Sequence, residues 1–231
     1  MKNKLIISID GPSAVGKSTI GKLIAQSLDF LYINTGAIYR ALTWKALKLK
    51  IDLEDEESLL KMISEIKMEI RHSNNKKDSS SKIIIDGKDI TEEIHNPEID
   101  QNVSNLAKLS KIRKKLISFQ RNLAKSGNIV MEGRDIGSKI LFNADIKLFF
   151  TASKKERAER RYRELIDKGY KIDYEEVRKQ IEKRDLIDSK RKYSPLKKAK
   201  DAIVIDSTKK TIFEIKKEIL DIVKKYKENG K

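Results

Sequence analysis

The residues with the clearest chemical purpose lie close to the N-terminus, where Gly11 to Ser18 match the pattern G-x-x-x-x-G-K-[ST]. In this pattern the glycines let backbone amides converge on phosphate oxygens, the lysine reaches the outer phosphates, and the hydroxyl offers an oxygen to Mg²⁺. We therefore predict a nucleoside triphosphate site with Lys17 as a catalytic group and Ser18 as the metal ligand. The predicted triphosphate-binding residues are Gly11, Pro12, Ser13, Ala14, Val15, Gly16, Lys17, Ser18 and Thr19. The motif by itself does not separate a kinase from a GTPase or a motor.

A second segment bears on that choice. Asn75 to Asp78 reads N-K-K-D, which resembles the guanine-reading N-K-x-D signature of GTP-binding proteins. In those proteins the signature follows a buried strand, and a D-x-x-G switch precedes it. Here the surroundings are rich in Ser, Asn and Lys, and no D-x-x-G occurs between Ser18 and Asn75. We interpret the match as a coincidence.

Arginines in particular places indicate a second, anionic substrate. Arg40 follows one short apolar run, and the neighbours Arg134 and Asp135 follow another. Ligands bind at the carboxyl ends of strands in open α/β sheets, so these side chains are candidates. Two further groups each share a helix face by their spacing; they are Arg157, Arg160 and Arg161, and Arg184, Asp188 and Arg191. Like charges on one face repel unless an anion neutralises them, so we expect the first group to form a lid that closes over the triphosphate.

Short apolar runs alternate with helical patterns along the chain. The runs predict strands over residues 5–9, 31–33, 129–131, 146–150 and 202–205. Helical spacing indicates a helix from Lys17 to Leu28. It also indicates a C-terminal helix with one apolar face, formed by Ile212, Ile215, Ile219, Ile222, Val223 and Tyr226. This alternation predicts an α/β fold, a doubly wound parallel five-stranded sheet with helices on both faces.

One stretch, from Ile66 to Ile94, departs from this rhythm. Its Asp86-Gly87 pair predicts a tight hairpin between β-like runs, and residues 76–81 predict a mobile loop. We interpret the stretch as a small β insertion. No repeat and no Pro/Gly-rich linker divides the sequence, so residues 1–231 are expected to form a single domain.

Composition narrows the class of protein. The chain has 231 residues, no Cys, and a formal net charge of +16. The lack of Cys excludes a disulfide scaffold, a thiolate zinc site and a cysteine nucleophile. The apolar runs are far shorter than the roughly 20 residues of a membrane span, so we expect a cytoplasmic protein without a membrane partner. The lysines are scattered rather than clustered, so we interpret the basic surplus as a solvated surface and regard a nucleic-acid partner as disfavoured.

Several motifs in order resemble one family. They are GPSAVGKST, NTGAIYRALT, EGRDIG, KRDLIDSKRKYSPL and DAIVIDST. The series resembles the bacterial cytidylate kinase family over nearly the full chain. This resemblance implies a P-loop kinase fold with an inserted monophosphate-binding β subdomain at about 62–100 and a helical lid at about 154–191. It also implies Mg²⁺-dependent transfer of phosphate from ATP to CMP or dCMP in pyrimidine metabolism.

The resemblance also implies roles for individual residues. The acceptor phosphate would be held by Arg40 and Arg134. The cytosine end would be shaped by Thr35, Ser104, Arg113 and Asp135. The sugar side and the reacting phosphates would be bound by Arg184, Asp188 and Arg191, whose division of labour stays open. The lid residues would be Arg157, Arg160 and Arg161, of which Arg160 would bind ATP, and the catalytic arginines would be Arg134, Arg157, Arg161 and Arg184.

The cytosine assignment has a geometric condition. Nine residues along a straight α-helix place Ser104 and Arg113 on opposite faces. We therefore expect the helix to break between them, with Ser110 as the N-cap of a new helix. The alternatives left open are a P-loop kinase of another small acceptor and a basic ATP-dependent nucleic-acid-binding module. We expect a monomer.

Overall fold

The computed structural model describes residues 4–72, 81–125 and 127–229. Within these ranges the first half of the chain runs β1 (Ile6–Asp10), α1 (Lys17–Leu28), β2 (Leu31–Asn34), α2 (Thr35–Lys48), α3 (Glu56–Glu65), β3 (Met68–His72), β4 (Ser81–Ile85), β5 (Lys88–Asp89) and α4 (Pro97–Ala107). The second half runs α5 (Ser110–Ala124), β6 (Ile129–Gly133), a π-helical turn (Ile136–Ile140), β7 (Ile146–Thr151), α6 (Lys154–Asp167), α7 (Tyr174–Lys190), β8 (Ile203–Asp206) and α8 (Ile212–Asn229).

The described strands form a parallel sheet in the order β2-β6-β1-β7-β8. The doubly wound five-stranded fold expected from the sequence is thereby confirmed. The register aligns Asp10 of β1 with Gly133 of β6, and Asn34 of β2 with Glu132 of β6. The three strands therefore end side by side, which gathers the residues that follow them at one edge of the sheet.

Helices cover both faces of this sheet. On one face, Ile20 and Ile24 of α1 and Ile215 and Ile219 of α8 pack against the buried side chains of β1 and β7. On the other face, Ala124 of α5 and the π-helical turn pack against β2 and β6. At the ends of α8 the apolar stripe is exposed, since Ile212 is 54% and Tyr226 41% exposed. The predicted apolar face of the last helix is therefore buried in its middle, at Ile215, Ile219 and Val223, and exposed at its two ends.

The inserted segment forms an antiparallel sheet in the order β3-β4-β5 within the described ranges. Asp86 and Gly87 both have positive φ, at 51° and 80°, as a type I′ hairpin turn requires. The hairpin expected from these two residues is confirmed. Of the loop predicted at 76–81, Ser81 begins β4 and the rest lies outside the described residues, as does the N-K-K-D segment at 75–78.

The break expected between Ser104 and Arg113 is present, because α4 ends at Ala107 and α5 begins at Ser110. Ser110 is the first residue of α5 rather than its N-cap; Leu109 occupies the cap position, and no side chain caps this helix. The break places Ser104 and Arg113 on the same cavity. No helix in the described ranges has the length and apolar character needed to span a membrane.

Candidate active site

The predicted phosphate-binding loop lies between β1 and α1, at the carboxyl edge of the sheet. Gly11 has a φ of 148°, and a Cβ there would lie 2.4 Å from the Phe150 carbonyl oxygen. Gly16 caps α1 in the left-handed region at φ 89°. A glycine is therefore required at both ends of the loop, and the amides that follow lead directly into the positive end of α1.

Asp185 of α7 braces this loop from the side. Its carboxylate accepts hydrogen bonds from the Ser13 amide at 3.2 Å and the Ser13 hydroxyl at 3.1 Å. It also forms an ion pair with Arg157 of α6, which in turn donates to the Ser13 carbonyl oxygen at 3.2 Å. A single carboxylate thus ties the loop to both helices of the α6–α7 hairpin.

Lys17 lies at the floor of the site. Its ammonium donates to the Pro12 carbonyl oxygen at 2.5 Å. Burial lowers the pKa of Lys17 well below its usual value, and the nearby Arg134 and Arg184 guanidinium groups lower it further. A cation held in such surroundings is stabilised when a polyanion enters, which is what a triphosphate would supply.

A buried carboxylate, Glu132 at the end of β6, lies beside the loop. One of its oxygens accepts hydrogen bonds from the Ser18 hydroxyl at 2.6 Å and from the Tyr32 hydroxyl at 2.8 Å. Burial and the Glu132 charge raise the pKa of Tyr32. The side chain of Glu132 is buried, yet its second oxygen has no hydrogen-bond partner among the described residues. An orphaned anionic oxygen next to Ser18 fits a divalent cation, which keeps most of its water and takes one or two carboxylate ligands.

The cytosine end predicted from the sequence is a buried network around Asp135. Its carboxylate accepts from Arg113 at 2.5 Å and from the Ser194 hydroxyl at 2.6 Å, and Arg191 lies at 3.4 Å. Arg113 also donates to the carbonyl oxygen of Ala107 at 3.2 Å, at the helix break. Its guanidinium stacks over the Tyr39 ring at 5.2 Å. Arg113 and Ser194 both donate to the same oxygen of Asp135. The other Asp135 oxygen has only the 3.4 Å contact with Arg191.

The residues predicted to bind the acceptor phosphate and the sugar are arginines paired with carboxylates. The Arg134 Nε donates to Asp188 at 2.8 Å, and Arg191 contacts Asp188 at 3.6 Å. Arg40 donates to Asp100 of α4 at 2.9 and 3.2 Å. Burial is the main reason why the pKa of Arg184 falls to about 10, and Arg40 and Arg134 add to this shift.

The expectation that the lid arginines need an external anion is wrong. Arg157 is paired with Asp185, Arg160 with Glu156 at 2.8 Å, and Arg161 with both Asp100 and Glu164. Arg160 also donates to the Ser207 hydroxyl at 3.1 Å and to the Ser207 carbonyl oxygen at 2.6 Å. Carboxylates from this chain already neutralise the positive face that the sequence showed.

Most of the predicted site residues line one cavity of about 1430 Å³. This volume exceeds the roughly 300–1,000 Å³ of an ordinary small-molecule pocket. The predicted residues that line the cavity are Ser13, Ala14, Val15, Gly16, Lys17, Ser18, Thr19, Thr35, Arg40, Ser104, Arg113, Arg134, Asp135, Arg160, Arg161, Arg184, Asp188 and Arg191. Gly11, Pro12 and Arg157 do not line it. Arg157, expected to be a catalytic lid group, is instead buried against the back of the loop.

Sequence reasoning missed the carboxylates and the serine that hold these arginines and the loop. They are Asp100, Glu132, Asp185 and Ser194. Glu132 carried a usable signal, because it ends an apolar strand beside the loop. Asp185 stands next to Arg184, but its position in the sequence does not show that it contacts the loop. Nothing in the local sequence marks Asp100, whose hydrogen-bond partners Arg40 and Arg161 lie 60 and 61 residues away and whose third partner is Arg184.

Known proteins supply the decisive comparison. The family model described as cytidylate kinase matches residues 7–225. The chain belongs to the cytidylate kinase family. It is 45% identical to the cytidylate kinase of Geobacillus sp. (strain WCH70) over 223 residues, which cover 96% of this chain and 98% of that protein. It is 44% identical to the cytidylate kinase of Bacillus licheniformis over 225 residues, which cover 97% and 98%.

The resemblance to cytidylate kinases seen in the sequence motifs is thereby confirmed. Among solved structures, an uncharacterized protein from Eubacterium ventriosum ATCC 27560 matches with a TM-score of 0.51 at 14% identity, over 96% of this chain and 99% of that one. At this identity the match supports the fold alone. A cytidylate kinase must place a triphosphate and a monophosphate in one space, and the large cavity meets that need.

Proposed function

We propose that this protein transfers the γ-phosphate of ATP to CMP and dCMP within the cavity, giving ADP and CDP or dCDP. The observation that carries the proposal is that one cavity joins the phosphate-binding loop, a cluster of arginines and the Arg113–Asp135 pair. An oxygen of the acceptor phosphate attacks the γ-phosphorus, and the bond to ADP breaks. That oxygen is already anionic, so positioning and charge stabilisation suffice without a general base.

On the donor side, the amides of residues 13–18 and the positive end of α1 would bind the β- and γ-phosphates. The Lys17 ammonium would stabilise the negative charge that develops on the leaving ADP during transfer. Arg160, held beside Gly16 by Ser207, would lie along the triphosphate. The α6–α7 hairpin occupies the range expected for the lid, and we propose that it closes over ATP.

Ser18 and Glu132 are the residues that would hold Mg²⁺. Bound there, the ion would neutralise negative charge on the β- and γ-phosphate oxygens. Because the Ser18 hydroxyl donates a hydrogen bond to Glu132, the lone pairs of its oxygen stay available to a cation. Tyr32 donates to the same Glu132 oxygen and thereby fixes the carboxylate in place.

On the acceptor side, Arg40 and Arg134 would bind the monophosphate, and Arg184, Asp188 and Arg191 would bind the sugar and the reacting phosphates. Cytosine carries an N4 amino donor and acceptors at N3 and O2. The Arg113 guanidinium can donate to N3 or O2, and Asp135, with Ser104 and Thr35 nearby, can accept from N4. The inserted β segment would form part of this monophosphate-binding region.

We further propose that the enzyme acts as a cytoplasmic monomer on free nucleotides, without a nucleic-acid partner. The scatter of the lysines along the sequence, without one basic block, supports the absence of a nucleic-acid partner.

A coupled assay of ADP formation, with ATP, Mg²⁺ and a panel of acceptors, tests the proposed function. The panel contains CMP, dCMP, UMP, AMP, dTMP and small hydroxyl acceptors, and a Lys17→Ala preparation controls for contaminating kinases. We expect turnover with CMP and dCMP well above the others. ADP formation with another acceptor and none with CMP or dCMP would overturn the proposal.

A further inference from the structure

Asp100 lies where guanidinium groups from several elements meet. It projects from the first turn of α4, and its carboxylate pairs with Arg40 of α2, Arg161 of α6 and Arg184 of α7. Arg40 is an expected ligand of the acceptor phosphate, and Arg161 and Arg184 belong to the lid hairpin. The carboxylate therefore occupies the space between the acceptor site and the lid.

These contacts use the hydrogen-bond donors that a phosphate would need. The Nε and Nη2 of Arg40 both donate to one Asp100 oxygen, at 3.2 and 2.9 Å. Nη2 of Arg161 donates to the other Asp100 oxygen, and its Nη1 is paired with Glu164 at 2.7 Å. The N–H groups of a guanidinium point in fixed directions, and the ones named here already donate to Asp100. A monophosphate that binds Arg40 and Arg161 through these groups must therefore first displace the carboxylate.

The electrostatics show that the cluster needs an anion. The carboxyl side chain of Asp100 is 17% exposed. Arg40, Arg184 and Arg161 outweigh the effect of its burial and lower its pKa to about 2. Arg184 is stabilised by Asp100 and Asp188 against the repulsion of Arg40 and Arg134. Without the Asp100 charge, the arginines would repel one another until a phosphate arrived.

The same carboxylate joins parts that must separate when nucleotides enter and leave. Asp100 and Arg40 belong to the acceptor side, while Arg161 and Arg184 belong to the lid. The ion pairs across this boundary hold α6 and α7 against α4. A lid held closed by these ion pairs should open when the Asp100 carboxylate is removed or displaced.

We propose that Asp100 is a built-in stand-in for the acceptor phosphate: it holds the lid arginines against Arg40 in the nucleotide-free enzyme, and the phosphate of the acceptor displaces it. This proposal rests on the proposed function, since it takes Arg40 and the lid arginines as phosphate ligands. An anionic phosphate can replace a carboxylate held by several guanidinium groups, whereas a nucleoside, which lacks that charge, leaves the carboxylate in place.

The test compares Asp100→Asn with Glu98→Gln. Both substitutions remove one charge from the first turn of α4, but Glu98 is exposed and has no ion-pair partner among the described residues. Two quantities are measured in each variant: the Kd of CMP and of cytidine by calorimetry, and the hydrogen exchange of the 154–167 amides without nucleotide. Asp100→Ser is a second variant without the carboxylate, and thermal unfolding verifies that each protein folds.

We expect Asp100→Asn to bind CMP roughly tenfold more tightly, which corresponds to about 1.4 kcal/mol released from the displaced ion pairs. Cytidine binding should not change, α6 should exchange faster without nucleotide, and Glu98→Gln should match the wild type in both measurements. Unchanged or weaker CMP binding, an equal gain for cytidine, or unchanged exchange of α6 would each overturn the proposal. Absence of CMP turnover by the wild type would instead refute the proposed function, while the exchange of α6, measured with and without inorganic phosphate, would still test the role of Asp100.

Discussion

The donor and acceptor halves of the cavity are built in different ways. The donor half is a run of consecutive backbone groups, shaped by Gly11 and Gly16 and fixed by Ser207, whose hydroxyl donates to the Val15 carbonyl oxygen at 3.0 Å. The acceptor half consists of side-chain ion pairs between distant residues. Arg113 and Asp135 are 22 residues apart, and Arg134 and Asp188 are 54 apart.

This difference has a consequence for binding. Backbone N–H groups at a helix start lack intrahelical partners, so a triphosphate can meet the amides at the start of α1 without breaking an ion pair between side chains. The Ser13 amide differs, because it already donates to Asp185 at 3.2 Å. A monophosphate meets arginines that are already paired. The acceptor half therefore has to exchange carboxylate contacts for phosphate contacts.

The largest effect is expected from Lys17→Ala, which removes the donor-side ammonium. We expect kcat to fall about 10²-fold or more, on the order of 3 kcal/mol, because Lys17 is aimed at charge that moves during transfer. The thermal unfolding midpoint should change little. Steady-state kinetics are compared with Lys61→Ala, which removes an exposed lysine on α3. An unchanged kcat would exclude Lys17 from the reaction.

The next effect concerns base selection in the acceptor half. Arg113→Met should lower kcat/KM for CMP by roughly 10- to 100-fold and for UMP much less, because the lost group pairs with cytosine and costs about 1–3 kcal/mol. The KM for ATP should stay near the wild-type value. Arg40→Ala should weaken CMP and UMP alike, since the proposed role of Arg40 is to bind the phosphate that both acceptors share.

The Arg113–Asp135 pair is only 3% and 4% exposed, so its loss also destabilises the fold. Circular dichroism at the assay temperature must therefore show that Arg113→Met is folded. If this variant lowers CMP and UMP turnover by the same factor, Arg113 is a phosphate ligand or a structural residue.

A smaller effect is expected where α7 braces the donor loop. Asp185→Asn weakens the contacts to Ser13 and Arg157, and we expect it to raise the KM for ATP by roughly tenfold while leaving the Kd of CMP unchanged. Glu182→Gln is the matched control, because it removes a half-buried carboxylate from the same helix that pairs with Arg178 and does not contact the loop. A change in CMP binding equal to the change in ATP binding would show that the two halves are not independent.

The smallest effect involves Asp10, which accepts hydrogen bonds at 2.8 Å from the Ile136 and Gly137 amides. Burial raises the pKa of Asp10 to about 7. Since the pKa of Asp10 is higher in the folded than in the unfolded state, protonation of Asp10 favours the folded state. The stability that this contributes is complete below about pH 4 and is lost as pH rises through about 7. Between pH 6 and pH 7 the wild type should lose about 1 kcal/mol of unfolding free energy relative to Asp10→Asn, as measured by urea unfolding. A constant difference between the two proteins would refute this linkage.

The two halves also differ in how far the sequence predicts them. The donor loop, the strands that flank it and the helix from Lys17 to Leu28 are encoded by neighbouring residues, and the structure confirms them. Local backbone rules decide these features. The break between Ser104 and Arg113 was predictable only because the resemblance assigns both residues to one base, which helical geometry permits only if the helix breaks between them.

The ion pairs of the acceptor half could not be predicted in this way. An arginine shows its charge in the sequence but not its partner, and Asp100 and Asp185 become partners only through the packing of α4, α6 and α7. The same reason explains only part of the wrong expectation for the Arg157, Arg160 and Arg161 face. Asp185 and Asp100 come from other helices, but Glu156 and Glu164 lie on α6 at i,i+4 and i,i+3 spacing, where the sequence alone shows them as partners.

The most direct test of the account is a crystal structure of the protein with CMP and a non-hydrolysable ATP analogue. We expect the triphosphate on the amides of residues 13–18, and the CMP phosphate within about 3.2 Å of Arg40 and Arg134. Cytosine should contact Arg113 and Asp135. CMP with its phosphate on the donor loop, or cytosine away from the Arg113–Asp135 pair, would contradict the division of the cavity into these two halves.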